Sequence, residues 1–155
     1  MKPEWKEWAE EFKAQFPNAN SALMPLLHRI QREDGWLSPG TLTEVAGLLN
    51  LSPQYVESVA SFYSLYFKSP VGKKVVHVCV GLSCMLAGSD ALMHRLEERL
   101  GIAQGQTTPD GEYTLLEAEC LAACDMAPAA QVNLRFKGPI PPEKADELLR
   151  EEVSS

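Results

Sequence analysis

Histidine, cysteine and positive charge are all scarce in this chain, which has three His, four Cys, and 14 Lys and Arg against 21 Asp and Glu. The formal charge of −7 argues against a nucleic-acid partner, because phosphate backbones are bound by clustered Lys and Arg. No stretch reaches the roughly 18 apolar residues that a membrane-spanning helix needs. Met1-Lys2-Pro3-Glu4-Trp5-Lys6 has neither the apolar run nor the small-residue cleavage site of a secretory leader. A cytoplasmic setting is therefore expected, where thiols stay reduced. Glycine-rich G-x-G-x-x-G and Walker loops are missing, and no Cys/His dyad can be placed. The chain is not expected to bind a nicotinamide or flavin by itself, and no catalytic residue is assigned. The C-x-x-C of thioredoxin-type disulfide enzymes is also missing.

What the chain does have is two cysteine pairs, Cys79-x4-Cys84 and Cys120-x3-Cys124, about 35 residues apart. In a reducing compartment such pairs are metal ligands more often than disulfides. The surrounding chain suggests how they could meet.

Residues 1–70 read as a bundle of four helices. Pro3 opens the first, over residues 3–16, with Trp5, Trp8, Ala9, Phe12 and Phe16 at helical spacing. Ser21 is a candidate cap for the second, which carries Leu23, Leu26, Leu27 and Ile30 and stops at Gly35. Ser38-Pro39 and Ser52-Pro53 each combine a capping side chain with a proline in the first turn, a strong start signal. Residues 62–67 form an aromatic hinge, and Pro70-Val71-Gly72 marks the boundary of a second domain, 71–155.

The periodicity changes after Lys73. The apolar run Val75–Val80 predicts a strand buried on both faces. Ser83 then caps a helix to about Leu100 that buries Leu86, Leu92, Leu96 and Leu100, with Gly101 at its end. Thr108-Pro109-Asp110-Gly111 has turn chemistry, and Tyr113 to Cys120 is a second strand, parallel to the first across the helical crossover. More strand follows in residues 129–137, and Pro141-Pro142 starts a last helix with Ala145, Leu148, Leu149 and Val153 on its apolar side. Pattern alone leaves a hairpin at Asn133-Leu134 undecided.

Parallel neighbours lie about 4.8 Å apart, so their carboxyl ends would bring the two cysteine loops together at one edge of the sheet. Four converging thiolates suit a [2Fe–2S] cluster, which takes two on each iron and carries a net charge of about −2. The amino end of the following helix, and amides near Gly81, Ala122 and Ala123, would offset that charge. Leu82, Leu86, Leu121, Met126 and Pro128 would shield it from water. A four-cysteine zinc site in an adaptor protein uses the same residues, although structural zinc knuckles favour C-x2-C. Both metal readings stay open on spacing alone.

Beyond the cysteines, Met24-Pro25-Leu26-Leu27, Asp34-Gly35-Trp36-Leu37, Val59-Ala60-Ser61-Phe62-Tyr63-Ser64, Glu119-Cys120-Leu121-Ala122-Ala123-Cys124, Ala127-Pro128 and Gln131-Val132-Asn133 extend the pattern along nearly the whole chain. In these residues the sequence resembles the NuoE-type [2Fe–2S] subunits of NADH:quinone oxidoreductase, respiratory complex I. It is similar too to the equivalent subunits of NAD-linked hydrogenases and formate dehydrogenases. The resemblance implies an α+β chain: an N-terminal helical bundle, then a thioredoxin-like α/β domain with a mixed sheet and a hairpin at Asn133-Leu134. It implies one [2Fe–2S] cluster on Cys79, Cys84, Cys120 and Cys124. It also implies a NuoF-type flavoprotein partner that carries FMN and oxidises NADH, in a complex that can lie on the inner face of the cell membrane. Ala122 departs from the glycine usual at its position.

Overall fold

The computed structural model describes residues 2–150. Two compact units divide the chain, Met1–Pro70 and Val71–Ser155.

The first unit holds four helices: α1 (Pro3–Gln15), α2 (Ala19–Asp34), α3 (Pro39–Leu49) and α4 (Pro53–Phe62). Their starts follow from capping. Ser38 accepts from the Thr41 amide and Ser52 from the Tyr55 amide, each ahead of a proline that needs no donor of its own. Asn18, not Ser21, caps α2: its side chain accepts from the Ser21 amide, which lies inside the first turn. The stops are left-handed residues, Gly35 (φ 81°) after α2 and Asn50 (φ 54°) after α3. Leu23, Leu26, Leu27, Ile30, Leu37, Val45, Leu49 and Val56 are essentially inaccessible and form one core with Trp5 and Tyr66. Each such side chain contributes on the order of 1.5–3 kcal/mol by leaving water.

The aromatic segment after α4 is strapped to α2. Buried on α2, the Gln31 amide donates to Leu65 O at 2.8 Å and accepts from the Phe67 amide at 2.7 Å. Tyr66 Oη donates to Met24 O at 3.0 Å, and burial pushes this phenol up to about 12.

The second unit is built on a four-stranded sheet in the order β2-β1-β3-β4, from β1 (Lys74–Cys79), β2 (Tyr113–Ala118), β3 (Ala130–Val132) and β4 (Arg135–Lys137). Strands β1 and β2 are parallel, in register from Lys74 opposite Tyr113 to Cys79 opposite Ala118. Strand β3 runs antiparallel to β1 and joins β4 through Asn133 and Leu134, both at positive φ (46° and 68°). That pair of left-handed residues is the mirror-image turn suited to strand twist. Asn133 Oδ1 accepts from the Val75 amide and its Nδ2 donates to Lys73 O, so the turn is tied to the start of β1.

One expected helix is two. Gly88 (φ 100°) separates α5 (Leu82–Leu86) from α6 (Ser89–Leu100), and Ser83 lies inside α5 rather than capping it. Leu92 and Leu96 of α6 are fully buried against the sheet. Leu86, across the break, is 82% exposed, because the break resets the helical phase. The second strand ends at Ala118, two residues before Cys120. A 3-10 turn (Pro142–Lys144) leads into α7 (Ala145–Leu149), pinned by a bidentate Arg99–Asp146 pair. Val153, placed on this last helix by its spacing, lies outside the described residues. Among the described residues, no helix is long and apolar enough to cross a membrane.

Glycine substitutions should separate the two units by sign. A Cβ on Gly72 would stand 2.6 Å from the Tyr113 backbone, so Gly72→Ala should lose about 1–3 kcal/mol. Gly47, in α3 with open space where a Cβ would lie, should gain about 0.5–1 kcal/mol as Gly47→Ala. Gln31→Leu should lose about 1–3 kcal/mol by leaving Leu65 O and the Phe67 amide unpaired. Urea unfolding followed by circular dichroism checks all three.

Candidate metal centre

Pairing of β1 with β2 determines where the cysteines stand. Cys79 is the last residue of β1, and the Val80 amide still donates to Ala118 O at 2.9 Å. Beyond that bond the two chains separate into loops, 80–81 on one side and 119–123 on the other. They remain in contact through Gly81. A Cβ there would meet Glu119 O at 3.2 Å, Cys79 Sγ at 3.5 Å and Cys120 Cα at 4.0 Å. An alanine there would need Glu119 O to give way by a few tenths of an ångström.

Four free thiols result, with no disulfide. Cys79 and Cys84 are buried, at 3% and 2% exposure, in a small apolar cluster with Ala129, Leu121, Ala123, Met126 and Ala127. Cys120 and Cys124 are exposed, Cys124 opening a 3-10 turn (Cys124–Met126). Cys79 and Cys84 lie close enough to influence one another, and Cys124 is within electrostatic reach of Cys84. Cys120 Sγ accepts from the Ala122 amide at 3.3 Å. Among the described residues, no three His, Cys, Asp or Glu side chains are grouped so as to hold one metal ion.

Backbone amides supply the local electrostatics. Burial works to raise the Cys79 thiol, but the Leu121 and Gly81 N–H groups and the Cys84 thiol overcome it and hold Cys79 below its ordinary value. Cys84 goes the other way. Burial raises it, only partly offset by the Ala129 N–H, and the neighbouring Cys79 and Cys124 raise it further. Ala129 ties this pair twice, since its carbonyl also accepts from the Cys79 amide at 3.0 Å. Nothing in the sequence pattern marked this alanine.

The expected apolar shield is only half present. Pro128 is buried, and Leu121 and Met126 are partly buried beside the cysteines. Leu82 and Leu86 instead face outward, at 74% and 82% exposure. Gly138 is a further element that spacing did not reveal. A Cβ there would fall 2.2 Å from Met126 O, so only glycine allows the segment after β4 to lie against the turn carrying Cys124. Its neighbour Pro139 was the available hint.

Free thiols on two adjoining segments, with amide donors near the sulfurs, suit an iron–sulfur cluster. A single zinc ion would need all four donors about 2.3 Å from one point, whereas a two-iron cluster takes them in twos.

Comparison with known proteins places these features in context. A sequence profile of the thioredoxin-like [2Fe-2S] ferredoxin family matches residues 9–152. An NADH-quinone oxidoreductase subunit of Rhizobium meliloti is 42% identical over 144 residues, covering 93% of this chain and 86% of that protein. An NADH-quinone oxidoreductase subunit of Mycobacterium tuberculosis is 44% identical over 141 residues, 91% of this chain; the chain spans 56% of that relative's length. Among solved structures, an NAD+-reducing [NiFe]-hydrogenase in the air-oxidized state is similar with a TM-score of 0.72 and 28% identity. That match covers 82% of this chain and 22% of the hydrogenase chain. Spanning nearly all of the sequence, and joined to four free thiols on adjoining segments, these likenesses show that the chain belongs to the thioredoxin-like [2Fe-2S] ferredoxin family, which binds a [2Fe–2S] cluster.

Proposed function

We propose that this chain is the electron-transfer subunit of an NADH-oxidising, FMN-containing complex of the NADH:quinone oxidoreductase kind. Residues 71–155 are its [2Fe–2S] domain and residues 1–70 a helical bundle. Cys79, Cys84, Cys120 and Cys124 are the ligands. One observation carries this assignment: parallel β1 and β2 end side by side, and the two segments about their carboxyl ends, 79–84 and 120–124, carry all four free cysteines. When bound, a [2Fe–2S] cluster supplies one-electron exchange. The chain's own part is to hold sulfurs at fixed positions, aim amide N–H groups at them and keep water from the Cys79–Cys84 side. Those tasks need no proton transfer and no substrate pocket.

Relatives named as NADH-quinone oxidoreductase subunits share 34–45% of their aligned residues with this chain, against 28% for the NAD+-reducing hydrogenase. The hydrogenase likeness supports a second reading, the equivalent subunit of an NAD-linked hydrogenase, and the identities favour the first. In either setting the partner is a NuoF-type flavoprotein that carries FMN and takes the hydride from NADH. In the quinone-reducing setting the complex is peripheral to the inner face of the cell membrane, with this chain on its cytoplasmic side.

Anaerobic reconstitution with iron and sulfide should give about two iron and two sulfide per chain, with visible charge-transfer absorption that bleaches on dithionite. One zinc per colourless chain would overturn the assignment. Cys84→Ala should lose most of its iron, and full retention would remove Cys84 from the ligand set. The isolated protein should not oxidise NADH. Co-purification from native extract should bring down a flavin-containing subunit, and the other proteins recovered would separate the quinone complex from the hydrogenase.

A further inference from the structure

Helix α5 carries its apolar residues outward. Leu82, Met85 and Leu86 fall at i, i+3 and i+4 and so share one face, while Cys84 lies on the opposite side. The cysteine is 2% exposed, and the three apolar side chains are 74%, 47% and 82% exposed. A single exposed leucine is ordinary, but three large apolar groups within one helical turn form a contiguous patch, the mark of a binding surface. The surrounding charge is one-sided. Residues 75–94 and 100–134, which include both cysteine segments, contain six Asp and Glu and no Lys or Arg. Two of those acids stand at the site itself. The Glu119 backbone lies against Gly81, the residue ahead of α5, and Asp125 follows Cys124. Both acids are exposed. Lys137, the strand cation at this end of the sheet, is two strands across from Val78.

We propose that the outward face of α5 is the docking surface for the flavoprotein subunit, which meets it with an apolar socket rimmed by Lys and Arg. The inference rests on the electron-transfer assignment above. Position selects the occupant. An electron crosses efficiently only over short distances, so the partner that exchanges it has to seat beside the sulfurs, and α5 carries Cys84 on its inner side. Charge selects it again. A bound cluster adds a net charge of about −2 to the carboxylates already there. A second copy of this chain would bring the same negative charge against the patch, and so would the anionic inner leaflet of a membrane. A basic rim is instead attracted, speeds encounter and fixes orientation. Burial of Leu82, Met85 and Leu86 in the socket then supplies the affinity.

The test titrates the full, cluster-loaded chain with the flavin-containing subunit recovered by co-purification, at low and high salt. Wild-type affinity should fall steeply as salt rises, and Glu119→Gln should flatten that slope. The double variant Leu82→Ser/Leu86→Ser should bind about ten- to a hundred-fold more weakly. Both side chains are exposed, so its iron content and thermal unfolding should match wild type. Leu134→Asn serves as the control: it removes an apolar group of 59% exposure from the β3–β4 turn, at a left-handed position that asparagine accepts, and should bind as wild type. A leucine variant that binds as tightly as wild type would overturn the inference, as would an equal loss in Leu134→Asn or a wild-type affinity indifferent to salt. Wild-type dimers in sedimentation that the leucine variant fails to form would give the face to a second copy and overturn it too. Should the double variant lose iron, Leu86→Ala decides: about a threefold weakening upholds the inference and an unchanged affinity overturns it. Recovery of no flavin-containing subunit with the wild type would instead remove the electron-transfer assignment, and this inference with it.

Discussion

The parallel pairing of β1 with β2 is the constraint from which the candidate centre follows. Six residues of each strand run in register, and the last pair, Cys79 opposite Ala118, brings both chains to the same edge of the sheet. Sheet hydrogen bonding then sets the loop separation at about 4.8 Å, without help from any metal. Gly81 carries that closeness past the end of the ladder, because its missing Cβ lets Glu119 O and Cys120 approach. A parallel pair cannot be closed by a tight turn, so a crossover is required. Here the crossover begins with the short helix that carries Cys84. The same topological need that inserts a helix between the strands thus supplies the second sulfur of the first pair.

The rest of the second unit buttresses this edge. Ala129 bonds to both Cys79 and Cys84, and it leads into β3, which pairs with β1 on the other side. Gly138 lets the chain leaving β4 lie against Met126, next to Cys124. Asn133 locks the β3–β4 turn to the start of β1 at 2.8 Å through each end of its amide. The first cysteine pair is thus tied to the sheet through Ala129. Electron transfer gains from such rigidity, since a centre that moves little between oxidation states loses little energy to reorganisation.

How much of this was legible in advance depends on how local each signal is. Ser38-Pro39 and Ser52-Pro53 are complete within two residues, and both caps formed. The apolar run around Val76 and Val78 marked a strand buried on both faces because burial there needs no partner to be named. Asn18 and Ser21 have the same capping chemistry three residues apart, and only the path of the chain decides between them. The break at Gly88 escaped because Leu86, Leu92 and Leu96 keep a plausible helical spacing across it. Gly88-Ser89-Asp90 carried a second start signal, a permissive residue followed by an acidic first turn, but one glycine inside an apolar period is weak evidence. The contacts of Ala129 and Gly138 were out of reach altogether. They join residues distant in sequence through backbone atoms, which have no residue type to betray them.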